Sequence, residues 1–124
     1  YNALAGDIMS GEFQNLTGLR LAQAALTTTV VILYETPVNT RTYIKDIMVA
    51  NHSGASGSTG TVSVYIVSAG GAASNDNELI GTYPVLKQGY LHWSGLQITN
   101  PGDTIQAVSD GTELTITISG AEAV

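Results

Sequence analysis

Cysteine is absent from this 124-residue chain, and charged residues are scarce. Without cysteine, the chain has no disulfide, no thiolate nucleophile and no zinc-thiolate site. Lys and Arg number 4 against 10 Asp and Glu, which gives a net charge of -6 at pH 7. So few cations release few counterions from a phosphate backbone and find little attraction at an anionic lipid surface. We therefore expect neither nucleic acid nor a membrane as a partner.

Long apolar runs are missing as well, and none reaches the length of a membrane-spanning helix. The chain is also too short for two separate cores, so we expect a single compact unit. Charged residues make up 11% of the chain, against roughly a quarter of an ordinary soluble domain. A surface with so little charge is typical of a protein that is partly covered by other subunits.

From residue 27 onward, the chain consists of short β-rich segments separated by Gly, Asn, Asp and Pro. This spacing is typical of an all-β fold, an antiparallel two-layer β-sandwich resembling a jelly roll. We predict that residues 27–124 form this sandwich. Its seven predicted strands are residues 28–34, 43–51, 61–67, 79–85, 89–96, 104–109 and 113–119.

Apolar and polar residues alternate clearly in two of these strands, so each is predicted to bury one face. Ser63 and Thr117 then face away from the core. The segment 44–50 breaks the alternation, because Ile44 and Ile47 share a face only if a β-bulge adds a residue near Lys45 or Asp46. The predicted buried residues of the two regular strands are Val62, Val64, Ile66, Leu114, Ile116 and Ile118.

Two connections carry recognisable turn sequences. Residues 100–103 read Asn-Pro-Gly-Asp, which predicts a type II turn because Pro fixes φ and Gly tolerates positive φ. Asp110 and Gly111 predict a hairpin that joins the last two strands.

The first 26 residues have a different pattern, closer to helical spacing but interrupted by Gly11 and Gly18. We interpret residues 1–26 as an N-terminal arm, either a short helix or an extended segment, that docks on the sandwich or on a neighbouring subunit. Deletion of residues 1–24 would then leave a folded sandwich. The predicted interface residues of the arm are Phe13, Leu16, Leu19, Leu21 and Leu26.

The candidate metal ligands are few and poorly spaced. His52 and His92 are the only histidines, and a site would need both with a carboxylate such as Asp46 or Asp76. The segment 75–78, Asn-Asp-Asn-Glu, offers oxygen ligands but lacks the spacing of a calcium loop, so we interpret it as a solvated loop. We predict no metal site and no cofactor.

Catalytic patterns are equally weak, since no nucleophile elbow is present. Asp103, Asp110 and Glu113 could cluster at one end of the sandwich as paired carboxylates, but turn formation explains the first two. We predict that the protein is not an enzyme. The six Tyr and Trp93 could stack on sugars or anchor an interface, although aromatic residues in strands more often pack within the sheet.

Several segments, taken in order, resemble a known group of proteins. They are Ile-Lys-Asp-Ile-Met-Val-Ala-Asn at 44–51, Val-Ser-Val-Tyr at 62–65, Asn-Pro-Gly-Asp-Thr-Ile at 100–105 and Ile-Thr-Ile-Ser-Gly-Ala-Glu at 116–122. Over residues 27–122 the chain resembles the small β-sandwich virion proteins of tailed bacteriophages.

This resemblance implies a non-enzymatic virion structural protein. Capsid decoration (cement) proteins, which are usually homotrimers, are the first expectation, and a tail, neck or fibre component is the second. The implied partners are further copies of the chain and the major capsid protein or tail proteins, with the chain on the capsid exterior or on the tail. A carbohydrate-binding module of a fibre is the alternative from a different functional class.

Overall fold

A computed structural model describes residues 16–54 and 56–124, which form eight strands and one short 3-10 helix at Asn75–Asn77. Each strand begins and ends near a Gly, Pro, Asn, Asp or Thr-rich connection, as the sequence pattern predicts. The strands are β1 (Leu16–Ala25), β2 (Val31–Glu35), β3 (Arg41–Asn51), β4 (Gly60–Val67), β5 (Glu78–Val85), β6 (Tyr90–Thr99), β7 (Thr104–Ser109) and β8 (Leu114–Ala123).

The strands form two antiparallel sheets packed as a sandwich. The first sheet has the order β1-β8-β3-β6, and the second has the order β2-β7-β4-β5. The pairs β1 with β8, β2 with β7, β3 with β6 and β4 with β5 correspond to one long hairpin whose tip is the loop 68–77. Pairing of β3 with β8 and of β4 with β7 rolls this hairpin up. The predicted two-layer sandwich is confirmed, and its topology is that of a jelly roll.

The core lies between the inner faces of the two sheets. Val62 and Val64 of β4 and all three predicted residues of β8 are fully buried, while Ile66 is partly buried against the same cluster. Ser63 differs from expectation, because it is also buried although it lies on the opposite face of β4. Its hydroxyl accepts a hydrogen bond from the Thr82 N–H at 2.9 Å, where β5 shifts register against β4.

The predicted bulge in β3 is confirmed. The register of β3 shifts between Ile44 and Asp46 against β8, which leaves Lys45 as the extra residue. Ile44 and Ile47 are consequently both buried. The turn at 100–103 also agrees with its prediction, since Gly102 has φ +88 and the Asp103 N–H donates to the Asn100 carbonyl at 3.0 Å.

The predicted hairpin at Asp110 and Gly111 is wrong. β7 belongs to the second sheet and β8 to the first, so residues 110–113 cross from one layer to the other. An Asp-Gly pair favours a tight reversal locally but does not determine which strands pair. Here β7 pairs with β2 and β4, and β8 pairs with β1 and β3.

Part of the predicted arm is a strand of the sandwich. Leu16–Ala25 pairs with β8 along its whole length, so the helical alternative is wrong for these residues. A bulge between Arg20 and Ala22 interrupts the alternation and gives the sequence its helix-like spacing. The predicted boundary between arm and sandwich at residue 26 therefore lies just after an edge strand of the sandwich. Deleting residues 1–24 would remove most of that strand and expose the edge of β8. Phe13 and the rest of residues 1–15 lie outside the described part of the chain.

A polar contact joins the two sheets inside the sandwich. The Tyr34 hydroxyl of β2 donates to the Glu122 carboxylate of β8 and accepts from the Thr42 hydroxyl of β3 at 2.7 Å. Burial, followed by the hydrogen bond to Glu122, raises the pKa of Tyr34 to about 12. The protonated phenol is therefore the form that the folded protein favours.

We expect Ile116→Ala to lower the free energy of unfolding by about 2 to 5 kcal/mol, because it leaves a cavity at a fully buried position. Thr117→Ala is the matched control on the outer face of the same strand and should cost much less. Denaturant unfolding measures both variants. Equal losses would mean that the faces of β8 are assigned the wrong way round.

We expect Tyr34→Phe to destabilise the protein by about 1 kcal/mol at neutral pH, because Glu122 and Thr42 lose their partner. Since the folded-state pKa is raised above the usual 10.0, this contribution is complete below about pH 10 and is lost as pH rises through about 12. Denaturant unfolding of both proteins over this range should show the difference between them shrinking. Tyr83→Phe, at a half-exposed position, is the control. A difference that stays constant up to about pH 12 contradicts the assignment.

Candidate interaction surface

The outer face of the first sheet is broad and carries little charge. The registers of β1, β8, β3 and β6 align its side chains in four rows across the sheet. Arg20 and Asp46 are the Lys, Arg, Asp or Glu residues of these four rows, and Arg41 and the bulge residue Lys45 are exposed on the same side of β3. The rows are Gly18, Ala121, Tyr43, Ile98; Arg20, Ser119, Asp46, Ser94; Gln23, Thr117, Met48, His92; and Ala25, Thr115, Ala50, Tyr90.

One hydrogen-bonded pair of a histidine and a carboxylate lies on this face. The His92 Nε2 atom is 2.7 Å from the Asp46 Oδ1 atom, and both side chains are nearly half exposed. The bulge in β3 turns Asp46 outward toward β6, where His92 lies in the adjacent row. Such an exposed pair contributes little to stability. It provides the surface with one hydrogen-bond donor and one acceptor at a defined place.

The structure brings together only two of the candidate metal ligands, Asp46 and His92. His52 follows the end of β3, where its N–H donates to the Glu113 carbonyl, and it lies four residues beyond the Met48 that pairs with His92. That separation is about 13 Å along a strand. Within residues 16–54 and 56–124, no group of three His, Cys, Asp or Glu side chains could hold a metal ion.

The candidate carboxylate cluster does not form, because Asp103 and Asp110 lie at opposite ends of β7. Six residues of strand place them about 20 Å apart. The Asp103 carboxylate accepts the N–H groups of Asn100 at 2.9 Å and Ala69 at 3.1 Å. Asp110 accepts the N–H of Thr61 at 2.9 Å. The Asp103 and Asp110 carboxylates therefore stabilise the connections between strands through backbone hydrogen bonds.

The segment 75–78 is also organised by its own hydrogen bonds. The Asn77 carboxamide accepts from the Ser74 N–H at 3.0 Å and donates to the Ala72 carbonyl at 2.9 Å. Asn51, which the sequence analysis did not single out, does the same for the loop after β3. Its side chain donates to the Ser58 and Val85 carbonyls at 3.0 Å. A single Asn at the end of an apolar strand, just before a Gly- and Ser-rich loop, is the sequence feature that could have indicated this role.

The edges of the two sheets differ in their chemistry. In the second sheet, β2 has only five residues and a bulge, and β5 contains Pro84 and two register shifts. Short strands, proline and bulges all oppose the addition of a further strand. In the first sheet, β1 and β6 have ten residues each and no proline, although each has one register shift. β6 contains no Lys, Arg, Asp or Glu, and β1 contains only Arg20.

Among the described residues, no strand pairs with the outer side of β1 or of β6, and exposed apolar side chains lie along both edges. Tyr90, Leu96 and Ile98 of β6 are 71%, 52% and 50% exposed. On β1, Leu16 is 55% exposed and Leu19 is also exposed, so both are available for the predicted interface.

Two other predicted interface residues are less available. Leu21 is partly buried against the core of its own chain. Leu26 is fully buried in that core, which removes it from any interface. The sequence showed their apolar character but not the direction of their side chains.

Comparison with solved structures gives distant likenesses. No family model and no curated protein matches the chain. A chain in the structure of the infectious bursal disease virus Gx strain is 9% identical, with a TM-score of 0.48, and the match covers 88% of this chain and 31% of that one. The CBM22-1-GH10 modules of Clostridium thermocellum xylanase 10B, complexed with xylohexaose, are 14% identical, with a TM-score of 0.36 and coverage of 90% and 26%. The chain thus spans less than a third of either protein.

Among the residues that the structure describes, no helix is long and apolar enough to cross a membrane.

Proposed function

We propose that this protein is a non-enzymatic structural protein of a bacteriophage virion, and that it binds the outside of the capsid as a decoration (cement) protein that stabilises the shell. The observation that carries the proposal is the outer face of the first sheet, where Arg20 and Asp46 are the formal charges of the four rows and Arg41 and Lys45 of β3 are exposed next to them. Burying such a face against another protein costs little desolvation of charge.

The positions of the other carboxylates support the same use of this face. Besides Asp46, the acidic residues of the described chain lie in turns, at strand ends or between the sheets. A partner that covers the outer face of the first sheet therefore stays away from most of the negative charge. The sequence resemblance to small phage virion proteins supplies the kind of partner: the major capsid protein, together with further copies of this chain.

Location on the particle tests the proposal most directly. Quantitative mass spectrometry of purified virions should give a copy number comparable with that of the major capsid protein, and electron cryomicroscopy should place the chain on the outer surface of the shell. A small copy number confined to the tail, neck or fibres would favour the alternative of a tail-associated component. Absence from the particle would overturn both.

We expect Met48→Glu to weaken binding of the purified protein to capsids that lack it, because Met48 lies in the middle of the outer face and the new carboxylate would be buried on docking. The matched control is Val38→Glu, at a position 80% exposed in the loop between β2 and β3. Cosedimentation with capsids measures both affinities. Equal binding of the two variants would mean that the capsid contacts another surface.

Glycan binding is a second candidate, because Tyr90 is 71% exposed on the same face as the His92–Asp46 pair. An exposed ring beside a donor and an acceptor suits the stacking and hydrogen bonding of a sugar. In a glycan array, Tyr90→Ala should abolish any signal that the wild-type protein gives, while Tyr83→Ala on β5 should retain it. A blank array with the wild-type protein removes this candidate.

A further inference from the structure

We propose that copies of this chain join side by side through the two open edges of the first sheet, with β6 of one copy pairing antiparallel with β1 of the next. The inference deepens the proposed function and rests on it, because it names the contact through which an assembling virion protein would bind its own copies. It concerns the edges of the sheet and leaves the outer face free for the capsid.

The exposed backbone groups of these edges provide the attraction. One side of an edge strand presents N–H and C=O groups without partners in the sheet, and a further strand satisfies them. The second sheet is protected by the short, bulged β2 and by Pro84 in β5. In the first sheet, β1 and β6 also have one irregularity each, at Leu21 and at residues 95–96, but both strands are twice as long as β2 and contain no proline. Strand addition is therefore directed to one layer of the sandwich.

The direction and length of the two strands fit a second copy in the same orientation. Strand directions alternate across β1, β8, β3 and β6, so β6 runs opposite to β1. A second copy that lies beside β6 in the same orientation as the first copy presents its β1 antiparallel to that β6. Both strands have ten residues. The pairing would continue the alternation of the first sheet from copy to copy.

Charge and side-chain size are complementary across this contact. With the rows of the outer face continued in line, Arg20 of the next copy lies beside the small Ser94, one strand beyond Asp46. The long Arg20 side chain can reach over Ser94 toward the carboxylate of Asp46. In the row of Tyr90, the neighbouring residue is Ala25 of the next copy. A large side chain at one edge thus meets a small one at the other.

A contact between two different edges is heterologous, so each copy uses both edges. Such contacts form a closed ring when the rotation between copies completes a circle. This geometry is compatible with the trimer that the sequence resemblance implies. It differs from a two-fold contact, in which β6 would pair with β6 of the other copy and β1 would stay unused.

The test blocks each edge separately with a lysine. Ile98→Lys places a charge on β6, and Leu19→Lys places one on β1, both at exposed positions. Val38→Lys, in a loop away from both edges, is the control. Sedimentation velocity and light scattering on the full chain measure the mass in solution, and far-ultraviolet circular dichroism checks that each variant is folded. Leu96→Lys and Leu16→Lys replace any variant that is not.

We expect the wild-type protein and the Val38→Lys control to form the same closed oligomer, and each edge variant to be monomeric. An equimolar mixture of the two edge variants should form a heterodimer, because each still has one intact edge. A monomeric wild-type protein, or edge variants that retain the wild-type mass, overturns the proposal. Monomeric Ile98→Lys with oligomeric Leu19→Lys overturns it in favour of a two-fold β6 contact.

Capsid binding by the same variants separates this inference from the proposed function. Edge variants that are monomeric and bind capsids more weakly support both ideas, since lost multivalency lowers apparent affinity. A wild-type protein that is monomeric yet decorates capsids refutes the edge contact and leaves the proposed function intact. An oligomer that fails to bind capsids supports the edge contact and contradicts the capsid role.

Discussion

The fold depends on the position of the last strand, β8, between β1 and β3. Its apolar residues Leu114, Ile116 and Ile118 are fully buried, and its two neighbours, β1 and β3, come from the first half of the chain. Close approach to β3 requires glycine at position 120, since a Cβ atom there would lie 1.9 Å from the Tyr43 carbonyl oxygen. This contact lies beside the bulge that turns Asp46 outward. The pairing that closes the core therefore also shapes the outer face.

The same closure determines which strands become edges. Once the long hairpin is rolled up by the pairs β3 with β8 and β4 with β7, the strands β1 and β6 border one sheet and β2 and β5 border the other. The border of the second sheet is protected by the five-residue length of β2 and by Pro84 in β5, whereas β6 presents ten residues without Lys, Arg, Asp, Glu or proline. The difference between the two layers is thus a property of the topology combined with the local sequence.

Local sequence predicted the features that depend on a few neighbouring residues. Alternation identified the inner face of β8, the spacing of Ile44 and Ile47 predicted the bulge, and Pro101-Gly102 predicted the turn. Features that depend on distant pairing were missed. The Asp-Gly sequence at 110–111 does not indicate that this connection joins two layers. The bulge in β1 breaks the alternation that would have predicted a strand, so these residues were predicted to form an arm. The rows of the outer face likewise exist only once four separate strands are in register.

The arrangement of charge explains how a protein with a net charge of -6 could associate with its own copies. Net charge of one sign keeps chains apart on average. Here most carboxylates lie in turns, at strand ends or, like Glu122, between the sheets. The outer face of the first sheet carries Asp46 as its one carboxylate among the described residues, together with the cations Arg20, Arg41 and Lys45. Approach through the loops is therefore repulsive, and approach along the edges of the first sheet is not. Because salt screens the repulsion at exposed loops, random contacts gain more from added salt than the directed edge contact does. Low ionic strength should then favour the ordered mode of association over the disordered ones.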